Sequence, residues 1–305
     1  MSLSDWIAQS RSHLSEHQIH VGIKKSVFQL YTGFLRRVAR IAVSPGTPIY
    51  KHDWDVLIVL DACRYDLMSE FISESDYDFN IKRRRSVGSN SAEWMEKNFN
   101  TNRFATQMSQ TAYVTGNLYT QKKINGSMFA HIDEVWRDKW DDDRGTVLPM
   151  DITLRAAWAE RNCDYDYLIV HYMQPHQPFI NKPIGEGMRD IGESQRDAWD
   201  YLKEGHVSTN ELWKRYKRNL ENVFESALNL VADIKGRVVI TADHGNLIGE
   251  YGLYGHPGHT RLPPLVDVPW IETTGDGKRS LDTVQPQENY RIDNMSDRLA
   301  ALGYK

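Results

Sequence analysis

The stretch Asp55-Val-Leu-Ile-Val-Leu-Asp61 decides the fold. A Leu-rich and β-branched run of this length between polar residues is typical of a short strand that is buried on both faces of a parallel sheet. Two more stretches have the same character, Tyr167-Leu-Ile-Val-His171 and Arg237-Val-Val-Ile-Thr-Ala-Asp243-His244-Gly245. Each leads into a residue that can bind a metal, and function gathers at the carboxyl ends of strands in an open α/β sheet. The three strand ends therefore predict a metal site and an enzyme.

Helical patterns lie between these strands. Apolar residues recur at helical spacing in four segments, 66–73, 92–99, 153–162 and 211–234. A further strand is predicted over 112–115. The alternation of strands and helices predicts an α/β fold with a doubly wound, mainly parallel sheet sandwiched by helices. The basic run Lys82-Arg-Arg-Arg85 could face an anionic substrate, but a solvated loop is the more common outcome and is predicted here. The polar residues 181–210 are predicted to form a variable loop or an insert.

The bulk composition is that of an ordinary globular protein. The chain has 305 residues, a net charge of -4 and a pI near 6.3, which gives no support for nucleic-acid binding. The two cysteines, Cys63 and Cys163, adjoin strand-like segments, so no disulfide is predicted. The first residues lack the pattern of a secretory signal, and no apolar stretch approaches the roughly 20 residues that span a bilayer. These features predict a cytoplasmic protein.

Residues 1–50 are predicted to form an N-terminal helical arm, and residues 51–305 to form the catalytic domain. The arm allows two interpretations: its apolar face packs on the domain, or the helix makes a peripheral contact with an anionic membrane. The basic residues are Lys24, Lys25, Arg36, Arg37 and Arg40, and the apolar face comprises Val27, Phe28, Leu30, Tyr31, Phe34, Leu35, Val38 and Ile41.

Asp243-His244-Gly245 is the strongest local signal for chemistry. Asp and His at a strand exit can bind one divalent ion, and Gly allows a sharp turn. Asp61 ends the first strand and can bind the same ion, while Arg64 can neutralise a phosphate or sulfate oxygen. The structural alternatives are a surface loop for Asp243 and His244, a helix cap for Asp61 and an ion pair with Asp66 for Arg64.

Two serines precede the helix predicted over 92–99. Ser89 and Ser91 lie in Gly88-Ser-Asn-Ser91, where the backbone N–H groups of a helix N-terminus can hold an anion. A hydroxyl that also touches a metal has a lowered pKa and becomes a usable nucleophile. Ordinary helix capping is the alternative for either serine.

Four histidines, His171, His176, His256 and His259, follow two of the strands. One such histidine is more often structural than functional. Four of them near two strand ends can bind a second metal, hold a substrate anion or protonate a leaving group.

Together these blocks resemble the alkaline phosphatase superfamily, and within it the sulfatase-like branch. Their order and spacing match over residues 53–271. The resemblance rests on Val56-Leu-Ile-Val-Leu-Asp61-Ala-Cys-Arg64-Tyr-Asp66, on His171-Tyr-Met-Gln-Pro-His176-Gln-Pro-Phe179, on Thr241-Ala-Asp243-His244-Gly245-Asn-Leu-Ile-Gly249-Glu250-Tyr-Gly, and on Val268-Pro-Trp270. It implies a doubly wound α/β sandwich that hydrolyses or transfers phosphate and sulfate esters. It also implies one or two divalent ions (Zn, Mn, Mg or Ca) and a covalent intermediate on Ser, Thr or formylglycine.

Carried over by position, the resemblance implies that Asp61, Asp243 and His244 bind the principal metal. Ser91 becomes the metal-bound nucleophile, where transferase and phosphodiesterase members usually have Thr. Ser89 is the alternative nucleophile, because the register of this loop leaves both serines open. The remaining roles are a second metal or substrate contact for His176 with His256 or His259, proton transfer for His176, and substrate contact for His171 and Arg64.

Two departures from the family pattern narrow the prediction. The formylglycine sequence Cys-x-Pro-x-Arg or Ser-x-Pro-x-Arg is absent, which argues against a true sulfatase. Tyr172 stands near the position of an extra Asp in two-metal members, which weakens the case for a second ion. The sequence predicts a metal-dependent hydrolase or transferase of phosphate esters, whose substrate is a small molecule, a glycan or a lipid headgroup. A sulfate-ester hydrolase and a non-catalytic anion- or glycan-binding relative remain the alternatives.

Overall fold

The computed structural model describes residues 19–184 and 197–287, with side chains from residue 26 onward. Its strands are β1 (Val56–Leu60), β2 (Ile81–Arg85), β3 (Thr111–Thr115), β4 (His131–Glu134), β5 (Trp140–Asp141), β6 (Thr146–Val147), β7 (Tyr167–Tyr172), β8 (Lys235–Thr241), β9 (Leu247–Ile248), β10 (Tyr254–Gly255) and β11 (Asp267–Asp276). Its α-helices are α1 (Ile19–Ala42), α2 (Tyr65–Ser73), α3 (Ser91–Phe99), α4 (Ala105–Ser109), α5 (Thr120–Lys123), α6 (Pro149–Asn162), α7 (Ala198–Lys203), α8 (Thr209–Asp233) and α9 (Pro263–Val266). Short 3-10 turns cover Ile49–Lys51, Asn102–Phe104, Gly126–Met128, Val135–Arg137 and Glu250–Gly252.

Seven strands form the central sheet in the order β2-β11-β8-β1-β7-β3-β4. Strands β8, β1, β7, β3 and β4 pair in parallel, and β11 is antiparallel to both of its neighbours. All five residues of β1 are buried, as expected for a continuous apolar run at the centre of a parallel sheet. The predicted doubly wound, mainly parallel sheet is confirmed.

Side chains of β1 alternate between two cores, one on each face of the sheet. Ile58 and Leu60 pack in a core that includes residues of α2, α6 and α8. Leu57 and Val59 pack in a smaller core that contains Trp94 of α3. Because helices cover both faces, the polar residues that follow β1, β7 and β8 are enclosed at the carboxyl edge of the sheet.

The four predicted helices correspond to α2, α3, α6 and α8, and the predicted strand over 112–115 corresponds to β3. The prediction of a loop at Lys82–Arg85 was wrong, because these residues belong to the edge strand β2, which pairs with β11. Edge strands carry charged residues, which discourage pairing with other chains. Of the loop predicted over 181–210, residues 198–203 form α7, and residues 185–196 lie outside the described part.

Helix α1 lies against the domain through a narrow part of its surface. Ala39 is buried and Leu35 is half-buried against Leu247, Leu262 and Leu265. Residues 1–18 of the predicted arm lie outside the described residues, and the boundary at residue 50 stays a prediction. None of the described helices is both long and apolar enough to span a bilayer. The cytoplasmic location likewise stays a prediction.

Candidate active site

Two carboxylates and an imidazole meet where β1 and β8 end. Asp61 directly follows β1, and Asp243 and His244 follow β8, its neighbour in the sheet. All three side chains are fully buried, and one ligand atom from each lies within 4.8 Å of the others. Nε2 of His244 is 3.4 Å from Oδ1 of Asp61 and 3.4 Å from Oδ2 of Asp243. The structure therefore brings together the three predicted ligands of the principal metal.

The orientation of His244 suits a metal ligand. Its Nδ1 lies 2.8 Å from the carbonyl oxygen of Gly245 and donates to it, which turns Nε2 toward the two carboxylates. Burial disfavours the imidazolium form, but the charges of Asp243 and Asp61 outweigh it and raise the pKa of His244 to about 9. Burial would raise the pKa of Asp243, but His244 and His171 hold it well below its usual range. A positive charge among these groups is thus strongly favoured.

The contacts of the Asp243 carboxylate indicate whether the cluster fits a cation. Its Oδ1 accepts from the backbone N–H groups of Ala62 (3.0 Å) and His244 (2.8 Å). Its Oδ2 is buried and has no hydrogen-bond partner within the described part of the chain. A buried carboxylate oxygen is costly without a partner, and two carboxylates with one imidazole form a donor set that suits Zn or Mn. The residues present therefore fit a divalent metal.

Ser91 reaches this cluster from α3. It is the first residue of the helix, after the N-cap Asn90, whose side chain accepts from the N–H of Glu93. The Ser91 hydroxyl donates to Oδ2 of Asp61 at 3.3 Å and lies 3.2 Å from Nε2 of His244. The side chain is fully buried. A hydroxyl is thus in direct contact with two of the three candidate ligands.

Ser89, the alternative nucleophile, has different partners. Its Oγ lies 2.8 Å from Oε2 of Glu93 and 3.0 Å from the carbonyl oxygen of Pro257, and it accepts from the N–H of Thr260 at 3.1 Å. These contacts tie the start of α3 to residues 257–260. The structure groups Ser91, rather than Ser89, with Asp61 and His244.

His176 and His256 form a pair beside the cluster. Their Nε2 atoms are 2.9 Å apart, so one donates to the other, and the ring of His256 lies 4.9 Å from that of His244 between centroids. Nδ1 of His176 contacts the carbonyl oxygen of Gln177 at 2.6 Å. Burial lowers the pKa of both histidines, and the neighbouring imidazoles lower that of His256 further. The pair is therefore neutral at physiological pH and able to exchange a proton.

His171 lies beside Asp243, and His259 lies beside Glu93. His171 is buried behind Asp243, with Nε2 3.6 Å from Oδ2 of Asp243 and Nδ1 2.9 Å from the hydroxyl of Tyr113. This geometry suits a residue that orients Asp243 more than one that contacts substrate. The side chain of His259 is 72% exposed, and its Nδ1 lies 3.3 Å from Oε1 of Glu93, outside the carboxylate cluster. The observed contacts of His259 do not favour the predicted role as a metal ligand.

Arg64 is bound to two carboxylates of its own. Its Nε and Nη2 donate to Asp66 at 2.8 and 2.6 Å, and its Nη1 donates to Glu250 at 2.6 Å and to the carbonyl of Asn246 at 2.9 Å. The guanidinium also lies over the ring of Trp213. These contacts use four of the five guanidinium N–H groups, so they do not favour the predicted role in holding substrate oxygens. They agree with the structural alternative, the ion pair with Asp66.

Asn117 is a residue of the site that the sequence analysis missed. It follows β3 by two residues, is fully buried, and donates from Nδ2 to Oδ2 of Asp61 at 2.9 Å. The signal was available, since Asn117 stands after a predicted strand much as Asp61 stands after β1. Tyr113, within β3, carried no such signal, because an apolar environment predicts an ordinary core residue there.

Comparison with known proteins supports the fold. The soluble domain of lipooligosaccharide phosphoethanolamine transferase A from Neisseria meningitidis matches with a TM-score of 0.51 and 14% identity, over 73% of this chain and 77% of that one. The integral membrane form of that transferase matches with a TM-score of 0.52 and 13% identity, over 99% of this chain and 63% of that one. The C-terminal periplasmic domain of phosphoethanolamine transferase EptC from Campylobacter jejuni has a TM-score of 0.49 and 16% identity, over 73% and 79% of the chains.

No family model matches the sequence, and no curated protein matches it. At 13 and 14% identity, the structural matches show the fold alone. The doubly wound α/β sandwich expected from the sequence blocks is confirmed by the sheet and shared with these two structures.

Proposed function

We propose that this chain is a divalent-metal-dependent enzyme that hydrolyses or transfers a phosphate ester, with Ser91 as its nucleophile. The single observation that carries the proposal is the position of the Ser91 hydroxyl. It lies at the start of a nine-residue helix and contacts Asp61 at 3.3 Å and His244 at 3.2 Å. An ordinary N-terminal serine would face solvent or its own helix.

Asp61, Asp243 and His244 would hold one ion, for which Zn or Mn suits the donor set and Mg or Ca is the alternative. Such an ion, when bound, lowers the pKa of a nearby hydroxyl and attracts phosphate oxygens. Asn117 orients Asp61 through its 2.9 Å hydrogen bond, and His171 supports Asp243. A second ion near His176 and His256 remains part of the expectation from the resemblance.

The protein groups suit an in-line displacement at phosphorus. The Ser91 hydroxyl gives up its proton as its oxygen attacks phosphorus and forms a new P–O bond, while the bond from phosphorus to the ester oxygen breaks. The neutral His176 and His256 pair takes up the released proton and passes it to the departing oxygen. Backbone N–H groups at the start of α3 face the phosphate oxygens. Water then releases phosphate from Ser91, or an acceptor hydroxyl of a small molecule, a glycan or a lipid headgroup takes the phosphoryl group.

Turnover of aryl esters tests this proposal. The protein, supplied with Zn or Mn, is assayed on aryl phosphate monoesters, phosphate diesters and sulfates. We expect turnover of a phosphate ester that falls at least about 10³-fold in Ser91→Ala. Ser89→Ala is the matched control, since the same hydroxyl is removed two positions away, and it should retain most of the activity.

Three results would change the conclusion. Loss of turnover in Ser89→Ala but not in Ser91→Ala would identify Ser89 as the nucleophile. Turnover of sulfates in preference to phosphates would favour the sulfatase alternative. Metal binding without turnover of any ester would favour a non-catalytic relative that binds anions or glycans.

A further inference from the structure

Helix α1 carries an apolar stripe that the domain leaves uncovered. Among residues with described side chains, seven of the nine large apolar side chains that are strongly exposed belong to this one helix. Phe34 is 65% exposed and Ile41 is 85% exposed. The seven are Val27, Phe28, Leu30, Tyr31, Phe34, Val38 and Ile41. Scattered exposed apolar residues need no explanation, but a contiguous patch indicates a contact surface.

Apart from the hydroxyl of Tyr31, which contacts the domain, the stripe is separate from the side that holds the helix on the domain. Val27, Tyr31, Phe34, Val38 and Ile41 follow one another at intervals of four, three, four and three residues, so they lie along one side. Leu35 and Ala39, which contact the domain, lie on the adjacent side. The helix therefore has two apolar surfaces. One packs on the domain, and the other is exposed and can contact a partner.

The charge of α1 indicates what that partner is. The helix contains five Lys and Arg residues and no Asp or Glu, although the whole chain has a net charge of -4. Arg37 and Arg40 are exposed next to the stripe. The partner must accept apolar side chains and also balance positive charge. An anionic lipid surface does both, because apolar side chains enter the acyl boundary while basic ones meet headgroup phosphates.

We propose that α1 docks this protein on the surface of an anionic lipid bilayer, with Phe34 and Ile41 inserted and Arg37 and Arg40 at the headgroups. This docking does not depend on the proposed catalytic function. A second copy of the chain is a poorer occupant. The stripe spans about two heptads, where a coiled coil needs three to four, and pairing would bring together two helices that each carry five positive charges.

The helix is also attached to the loop that carries His256. The hydroxyl of Tyr31 donates to the carbonyl oxygen of Tyr251 at 3.1 Å, and Nε of Arg36 donates to Oγ1 of Thr260 at 3.0 Å. Docking through the stripe would thus hold residues 251–260 close to the headgroup layer. The candidate active site would then lie beside the membrane in one fixed orientation.

Vesicle co-sedimentation of the full chain tests the docking. The vesicles contain phosphatidylcholine alone or phosphatidylcholine with phosphatidylglycerol. We expect binding only to the anionic vesicles, and weaker binding as salt is added. Phe34→Ser with Ile41→Ser, and separately Arg37→Glu with Arg40→Glu, should each weaken binding at least about tenfold. Met150→Ser, which removes an exposed apolar side chain on α6, is the matched control and should bind like the wild type.

Circular dichroism establishes that each variant is folded before binding is compared. Failure of the wild type to bind anionic vesicles would overturn the proposal. Unchanged binding by the Phe34→Ser, Ile41→Ser variant would overturn it too. So would a lipid-free dimer that this variant dissociates, since the stripe would then belong to a second copy.

Discussion

The loops that follow β1 and β8 meet at two places, and the carboxylates at these places differ in burial and in partners. At the first, the open group, Asp61 and Asp243 are fully buried and contact imidazole, hydroxyl, amide and backbone N–H groups. At the second, the closed group, Arg64 joins Asp66 and Glu250, whose side chains are 56% and 29% exposed. The same two segments thus supply one carboxylate pair with a guanidinium, which keeps its charge, and the other pair with an imidazole, whose proton a divalent ion can replace.

The comparison separates stability from function. Carboxylates that are already paired with Arg64 hold the two loops together, and they gain little from a metal. Asp243 is buried, and its Oδ2 faces imidazoles but has no hydrogen bond in the described part of the chain, so a divalent ion can still improve its surroundings. The site is therefore identified by buried carboxylates whose ion-pair partners are imidazoles, rather than by the number of acidic residues.

The largest effect is expected from Asp243→Asn, which removes a charge from the open group. The variant should lose its bound metal and about 10³-fold or more of the turnover, because one ligand becomes neutral. Metal at a hundred times its Kd should stabilise the wild type by about 2.7 kcal/mol and leave the variant unchanged, as measured by thermal unfolding. Asp66→Asn, the same substitution in the closed group, should keep its metal. Equal metal content in the two variants would remove the distinction between the groups.

Arg64→Met should lower the stability that the closed group provides and leave metal binding by the open group unchanged. We expect a loss of about 2 kcal/mol in the free energy of unfolding, less than for a fully buried pair because Asp66 and Glu250 are partly exposed. Urea unfolding measures the loss, and the metal content should be retained. Adding Glu250→Gln should recover part of the stability, since it removes a carboxylate that has lost its partner. Strictly additive losses would show that Arg64 and Glu250 are not coupled.

Tyr113→Phe tests whether the hydroxyl that contacts His171 contributes to metal binding by the open group. It removes the hydroxyl that contacts Nδ1 of His171, whose Nε2 faces Asp243. Loss of such an outer contact should weaken metal affinity about tenfold, measured by competition with a chelating dye. Tyr172→Phe removes a buried hydroxyl that contacts Thr153 instead, and its metal affinity should match the wild type. Equal losses in both variants would point to general destabilisation.

The smallest effect is expected at an ion pair on the surface. Lys82 and Glu272 are 2.6 Å apart, but their side chains are 46% and 50% exposed. Lys82→Ala should therefore change the free energy of unfolding by no more than about 0.5 kcal/mol. Urea unfolding under the conditions used for Arg64→Met gives a direct comparison. A loss as large as that of Arg64→Met would mean that an ion pair contributes the same amount to the free energy of unfolding whether it is buried or exposed.

The sequence predicts what depends on local pattern and misses what depends on distant partners. The apolar run of β1 and the polar residues at its end were recognisable, because burial on both faces demands such a run. The ion pair of Arg64 with Asp66 was among the alternatives, but its second partner, Glu250, was missed because it is 186 residues away. The edge strand β2 was missed because four consecutive basic residues hide the alternation of a half-buried strand. Ser89 and Ser91 were indistinguishable until the start of α3 was known.

Thr260 links the surface helix to the nucleophile's helix. Its hydroxyl accepts from Arg36 of α1, and its N–H donates to Ser89, two residues before Ser91. Two hydrogen bonds therefore connect a helix that faces outward with the turn that positions the Ser91 hydroxyl. If binding of α1 to a bilayer changes the affinity of the site for its metal, thermodynamic linkage requires that metal binding change the affinity of α1 for the bilayer by the same factor. In that case a lipid surface would be an effector of the metal site as well as its support, and loading the metal would change how firmly the protein holds to the membrane.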